Sequence, residues 1–390
     1  MLLGRKITVL GAGVGGLAVA RALALRGAQV TVLEQSEAIR EVGAGLQVSP
    51  NGARVLRALG LGEALDSAGP QGRAVELWDG PGEQRLLRMN LPERHAGQSD
   101  VHYMHRARLI SLLAQGARDA GVSIRLLHRV EQVTLGAHPP RLTTAQGVEM
   151  EADLLIGADG LHSKLRTAIN GTAAPFFTHQ TAWRALLPVE PDAEPVAQVF
   201  MGPGRHLVTY PLGGGLRNIV AVQERQKWIE ESWSLTDDSI ALRTAFSDFG
   251  PKVRGWLDQV EAPGLWGLFR HPVAARWHAP GAVLLGDAVH PTLPFFAQGA
   301  CLALEDAWVL AEALAGHDSD AAAFAAYQQT RAARVAKVVG LANGNARNYH
   351  LSGLPRAVAH MGLRTINALA PGRMLKRFDW VYDHDVTAGA

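Results

Sequence analysis

Ile7-Thr8-Val9-Leu10-Gly11-Ala12-Gly13-Val14-Gly15-Gly16-Leu17 carries the chain from a short apolar run through a glycine turn into a helical pattern. Ile7 to Leu10 read as a strand of the buried, parallel type. Gly11, Gly13 and Gly16 match G-x-G-x-x-G. Leu17 to Arg26 have helical spacing, Gly27 stops the helix, and Val30 to Leu33 form a second strand that ends on Glu34. Glycines let the backbone turn tightly and approach a pyrophosphate, whose charge sits at the positive end of the helix. Val14 and Gly15 belong to the same turn. Glu34, about twenty residues on, is placed to accept both hydroxyls of a ribose, with Gln35 next to it. The unit predicts a bound dinucleotide. It serves NAD and FAD alike, although an acidic Glu34 disfavours the 2′-phosphate of NADP here.

The chain's 390 residues, 47% hydrophobic and 19% charged, suffice for two or three domains. A net charge of +2 gives no basic field for nucleic acid. Cys301 is the only cysteine, so no disulfide framework, thiolate cluster or CxxC pair exists, and a reducing cytoplasm is the expected location. The fifteen histidines show no H-x-x-x-H or H-E-x-x-H spacing, and no metal is expected. Met1 to Lys6 run straight into a strand without a signal segment, and no apolar run reaches the roughly eighteen residues of a bilayer span.

Two later stretches repeat the pattern of strand, turn and helix. Ala152 to Ile156 lead into Gly157-Ala158-Asp159-Gly160-Leu161-His162-Ser163-Lys164-Leu165-Arg166. Ala282 to Leu285 lead into Gly286-Asp287-Ala288-Val289-His290-Pro291, then Ala297-Gln298-Gly299-Ala300 and a helical pattern from Cys301 to Leu314. With these motifs the chain resembles the single-component, FAD-dependent aromatic hydroxylases, on the branch of salicylate hydroxylase and 3-hydroxybenzoate 6-hydroxylase. The resemblance implies that Asp159, Gly160, Ser163 and Arg166 lie near the flavin and pyridine-nucleotide pyrophosphates. It also implies that Gly286 and Asp287 meet the FAD ribityl chain. Gly43-Ala44-Gly45-Leu46-Gln47 with Pro50-Asn51, the His105-Arg106 pair and the closing Trp380-Val381-Tyr382 match the family as well. Gln47 and Val130 are counted with the cofactor site. The resemblance thus selects FAD for the first glycine turn.

Physical reasoning supports the same site. A helix opening near Gly299 presents about half a positive charge at its N-terminus, which suits an anionic reduced flavin. Gly299 and Ala300 leave the backbone bare for the ring. Arg106, opening a helix after a His102–Met104 strand, can clamp a phosphate or the ribityl region. No second glycine-rich dinucleotide unit follows, and the resemblance implies that NAD(P)H binds transiently as a co-substrate, with NADH and NADPH both open.

From Thr178 to Pro272 the texture changes to β-type runs, Val196 to Met201, His206 to Tyr210 and Asn218 to Val222, divided by glycine turns. The expected architecture is α/β: a Rossmann-like FAD-binding domain (1–70, 101–177 and 275–330) with an inserted, mostly antiparallel substrate domain (71–100 and 178–274). A helix is expected over Asp237 to Phe249, and a C-terminal helical segment over 331–390. Strand alternation puts His206, Val208, Tyr210 and Leu212 on one face, where His206 and Tyr210 can flank an aromatic ring. Gln298 is the third candidate catalytic residue, through a hydrogen bond to a substrate hydroxyl or carboxylate.

The expected reaction hydroxylates a small aromatic acid or phenol with O2, through a hydroperoxide formed on the flavin. A histidine titrates in the range needed to ionise a ring hydroxyl. Val208, Leu293, Phe295 and Phe296 would keep water out. Two other readings stay open: a related monooxygenase of a quinone precursor or olefin, and a flavin-bound redox sensor without turnover. The amphipathic stretch Leu354 to Leu369, with Arg356, Arg364, Arg373, Lys376 and Arg377 nearby, is expected mainly to pack on the FAD domain. A homodimer is compatible with the sequence, which does not set the oligomeric state.

Overall fold

The opening apolar run forms the strand Lys6–Leu10 in a computed structural model that describes residues 2–39, 45–93, 95, 97–136, 139–226 and 235–388. The Gly43-Ala44 pair lies outside the described residues. Lys6–Leu10 sits inside a six-stranded sheet ordered His278–Ala279, Ala282–Leu284, Leu155–Gly157, Lys6–Leu10, Gln29–Leu33, Ser123–Arg125. All neighbours are parallel except the first pair. Both faces are covered, which is why these strands read as unbroken apolar runs. Leu10 pairs with Gly157 and Gly157 with Leu284. The three glycine motifs therefore leave the same edge of the sheet, at the carboxyl ends of three adjacent strands, where open α/β sheets bind ligands.

The helix Val14–Ala24, almost wholly buried, lies between this sheet and the largely buried helix Gly299–Gly316. A glycine is required at the crossing: a Cβ on Gly15 would come within 2.6 Å of Leu285 Cδ1 and 3.3 Å of Ala303 Cβ. Leu17, Leu23, Val32, Ile156, Leu284 and Leu302 belong to the resulting core.

The second sheet has eight strands, ordered Leu235–Thr236, Gly264–Arg270, Phe176–Pro188, Leu216–Glu224, Arg205–Leu212, Val196–Gly202, Ala74–Asp79, Gln84–Asn90. Its pairing is antiparallel apart from Val196–Gly202 beside Ala74–Asp79. Strands from residues 71–100 thus join those of 178–274 in one sheet. One face, through Leu207, Ile219 and Phe200, packs on Phe246, Val253 and Trp256. The other carries His206, Val208, Tyr210 and Leu212, as alternation predicts, with His206 against Phe295 and Tyr349 and Tyr210 against Tyr103.

Two local expectations change. The helix expected over Asp237 to Phe249 spans only Ser239–Ala245, capped by the Asp238 carboxylate on the Ile240 N–H (2.8 Å). A separate helix, Pro251–Asp258, follows with proline at its first turn, because Pro251 lacks the N–H that continuing the first helix would require. The border expected at residue 330 falls inside the continuous helix Asp320–Tyr349. Its burial on Phe324, Tyr327, Val335 and Val338 spans that position.

Candidate active site

The first turn is shaped by contact and by open space. Gly11 has φ +94°, and a Cβ there would lie 2.5 Å from the Ala158 carbonyl oxygen. At Gly16 a Cβ would lie 2.0 Å from the Gly11 carbonyl oxygen. Gly13, the N-cap of Val14–Ala24, faces open space with nothing within 4 Å of its Cβ position. The helix's positive end therefore faces room for a pyrophosphate, and the cradle fits FAD. Glu34 holds the turn: its Oε2 accepts from the Ala12 N–H (2.8 Å) and its Oε1 from the Ser36 N–H (2.9 Å). Gln35 is exposed beside it, and Val130 is half-buried at the start of the strand Val130–Thr134.

At the third motif, Gly286 takes φ +62° and its N–H donates to Asp306 Oδ2 (3.1 Å). Asp287 stands exposed on the tight turn Gly286–Ala288, at the floor of the cleft, with protein packed around it. Burial raises its carboxyl, and the charges of His290 and Arg106 oppose that shift. Arg106 starts the helix Arg106–Asp119, whose N-cap His105 accepts from the Ala107 N–H (3.1 Å). Asp287 and Arg106 thus belong to one electrostatic site. Gly299 and Ala300 open the helix Gly299–Gly316, half-exposed toward the cleft.

The middle motif is engaged with its own backbone. Asp159 accepts from Ser163 Oγ (2.5 Å) and the Lys164 N–H (2.8 Å), capping the helix Lys164–Asn170. Gly160 has φ +73° and open space at its Cβ position. Arg166 is buried, donating to the carbonyls of Ala288, Val289 and Pro272 (3.0, 3.0 and 2.7 Å). It braces the turn that holds Asp287.

A cavity opens beside this cleft, with Gln47, Ser49, Ser99, Ala297, Gln298 and Tyr382 in its wall. Ala297 adopts a left-handed conformation, φ +50°, unusual for a residue with a side chain. Gln298 is 2% exposed and both ends of its amide are engaged: Nε2 donates to Ser49 Oγ (2.8 Å) and Oε1 accepts from Asn51 Nδ2 (3.0 Å). Gln47 pairs with Tyr103, whose ring packs on Tyr210 at 5.1 Å. Burial raises the hydroxyl pKa of Tyr210 beyond the ordinary 10.

His206 differs from expectation. It does not line that cavity. Its ring is fully buried against Phe295 and Tyr349, and its Nδ1 bonds His350 Nε2 at 2.7 Å. His350 Nδ1 in turn meets Glu224 Oε1 at 2.8 Å, and the Glu224 side chain reaches solvent. Burial, and then the neighbouring His350, push His206 well below the ordinary 6.5. His206 Nε2 is buried without a hydrogen-bond partner. Alternation put this histidine on the correct face, but a residue 144 positions away decides what it meets.

One group has metal-like spacing among the described residues, Asp66, Asp100 and His102. Arg57 already bridges it, 2.7 Å from each carboxylate.

The FAD binding domain model matches residues 5–342 of this chain. The chain belongs to that FAD-binding family. The flavoprotein is 32% identical to the 3-amino-4-hydroxybenzoate 2-monooxygenase PtmB3 of Streptomyces platensis, over 97% of this chain and 95% of the relative. It is 33% identical to the 3-hydroxybenzoate 6-hydroxylase of Polaromonas naphthalenivorans, over 97% and 96%. The structure of Klebsiella pneumoniae HpxO with FAD and uric acid superposes with a TM-score of 0.83 at 25% identity, covering 96% of this chain and 95% of that one. The flavoprotein is an FAD-dependent monooxygenase of the aromatic hydroxylase type, with a Rossmann-like FAD-binding fold and NAD(P)H as co-substrate.

Sequence reasoning missed the ionic core behind the cofactor turn. Asp306 is fully buried between His290 Nε2 (2.5 Å) and Arg331 Nε (2.8 Å). Burial raises its carboxyl, yet His290 and Arg331 outweigh that and hold it down to about 2. Glu305, also fully buried, meets Arg331 (2.6 Å), Arg334 (2.7 Å) and Asn51 Nδ2 (2.6 Å). Arg334 reaches on to the carbonyls of Trp380 and Val381, both at 2.9 Å. The signal was present: Glu305 and Asp306 interrupt the apolar run Cys301–Ala311, and buried acids need partners.

Proposed function

We propose that this flavoprotein hydroxylates a hydroxybenzoate-like aromatic acid, held between the Tyr210 face of the eight-stranded sheet and the Ala297–Gln298 turn. The observation that carries the reading is the cavity opening on that turn, beside the N-terminus of Gly299–Gly316. Both relatives described above are named for hydroxybenzoate substrates, which supports this class. In this reading the discontinuous division into an FAD-binding and a substrate domain follows the two sheets, and the buried, reduced Cys301 fits a cytoplasmic enzyme.

FAD, held by Gly11 to Gly16, Glu34, Gln47, Arg106, Asp159, Gly160, Asp287 and Gly299-Ala300, supplies hydride acceptance from NAD(P)H and the activation of O2. The protein's own residues orient the ring and manage its proton. Gln298, its amide locked by Ser49 and Asn51, orients polar groups in the cavity wall. Tyr210 does not reach the cavity wall but backs it through Tyr103, and Phe296, in the wall, helps exclude water. The His206–His350–Glu224 chain is a proton outlet from the sheet face to solvent.

The test is a panel of hydroxybenzoates, salicylate, hydroxypyridine carboxylates and quinolones, scored for NAD(P)H oxidation, product and hydrogen peroxide. A hydroxybenzoate should stimulate NAD(P)H oxidation with little peroxide. In His206→Ala and His350→Gln, product per NAD(P)H should fall while flavin content stays unchanged. If no compound stimulates NAD(P)H oxidation, the sensor reading replaces this one. If coupling is unchanged in both variants, the outlet lies elsewhere.

A further inference from the structure

The helix Gly353–Leu369 packs against the strand Gln84–Asn90 at the edge of the eight-stranded sheet. Its inward side carries Arg356, paired with Asp79, the buried His360, and Asn367, whose Oδ1 accepts from the Arg88 N–H (2.9 Å). At helical spacing the opposite side carries Leu354, Val358, Met361 and Leu369, which are 77%, 55%, 63% and 80% exposed. Isolated exposed apolar residues are ordinary, but four in one outward row on one helix form a stripe with no covering element.

Charge identifies what covers it. Residues 321–378 hold nine lysines and arginines and no aspartate or glutamate, in a chain whose net charge is only +2, so the rest of the chain is net negative. Several of these cations are engaged internally, as Arg331, Arg334 and Arg356 are. Arg373, Lys376 and Arg377, directly after the stripe, are exposed and pair with no acid among the described residues. An apolar row flanked by unpaired cations complements an anionic lipid surface. A second copy docking through the same stripe would instead bring like charges together.

We propose that the helix Gly353–Leu369 seats this enzyme on an anionic membrane surface. Leu354, Val358, Met361 and Leu369 enter the boundary between headgroups and acyl chains. Arg373, Lys376 and Arg377 meet the headgroups. The attachment is peripheral, since no helix among the described residues is long and apolar enough to cross a bilayer.

The FAD-loaded enzyme is sedimented with vesicles of phosphatidylcholine and phosphatidylserine, and with phosphatidylcholine alone, at low and high salt. It should pellet with the anionic vesicles only, and release at high salt. Arg373→Gln/Lys376→Gln/Arg377→Gln should lower partitioning on the order of a hundredfold. Leu354→Ser/Val358→Ser/Met361→Ser should lower it at least tenfold. Both variants should keep the wild-type flavin spectrum, which separates lost docking from lost fold. Background pelleting of the wild type overturns the proposal, as does partitioning that neither salt nor the cation variant reduces. A dimer in sedimentation velocity that the serine variant dissociates, without vesicle binding, assigns the stripe to a second copy.

Discussion

At the scale of single residues, the His206–His350 pair couples folding to pH. Both rings are pushed below the ordinary 6.5, His206 by burial and then by His350, and His350 by burial that its contact with Glu224 only partly offsets. Histidines held neutral in the fold take up protons more readily when unfolded. The unfolded state therefore gains as pH falls through about 6.5, and stability is lost on the acid side. Each such ring contributes up to about 1.4 kcal/mol per pH unit below that point. Denaturant unfolding at about pH 8 and about pH 5.5 should show a smaller acid loss in His206→Phe than in the wild type. Equal acid losses would show that the pair is not held neutral.

At the scale of elements, the first turn separates two roles for glycine. A Cβ on Gly16 would meet backbone, the Gly11 carbonyl oxygen at 2.0 Å, which cannot give without moving the helix Val14–Ala24 off its strand. Gly16→Ala should therefore destabilise even the flavin-free protein, by about 1–3 kcal/mol. Gly13 has an ordinary φ of −77° and open space at its Cβ position. Gly13→Ala should leave flavin-free stability within about 0.5 kcal/mol of wild type while weakening FAD binding tenfold or more. Thermal unfolding of the flavin-free proteins and titration with FAD make the comparison. Wild-type FAD affinity in Gly13→Ala would remove the pyrophosphate from that space.

At the scale of the molecule, the ionic core ties distant segments together. Asp306 accepts from the Gly286 N–H, Arg331 holds both Glu305 and Asp306, and Arg334 binds the carbonyls of Trp380 and Val381. The cofactor turn, two long helices and the C-terminal segment therefore share one buried network. Arg331→Met takes a cation from each of two buried carboxylates, leaving Glu305 to Arg334 and Asn51 and Asp306 to His290, and breaking a buried pair costs about 3–5 kcal/mol. The exposed Arg118→Met should stay within about 0.5 kcal/mol of wild type. Unfolding curves that coincide for the two variants would mean the network contributes no more than the surface does.

What could be read without coordinates was whatever depends on neighbours in the chain. The strand, glycine turn, helix and acid between Ile7 and Glu34 specify their shape locally, because the required φ angles and the apolar period belong to those residues themselves. The same holds for the Gly157–Gly160 and Gly286–Asp287 turns, and for the alternation that sets His206 and Tyr210 on one face. Tertiary structure alone decided what those side chains touch. Gln298 meets Ser49 and Asn51, Arg166 braces the turn beyond Asp287, and His206 finds His350 rather than the cavity. Each partner lies more than a hundred residues away. Burial makes an unpaired polar group costly without specifying which segment will satisfy it, and that choice is made only when the sheets and helices pack.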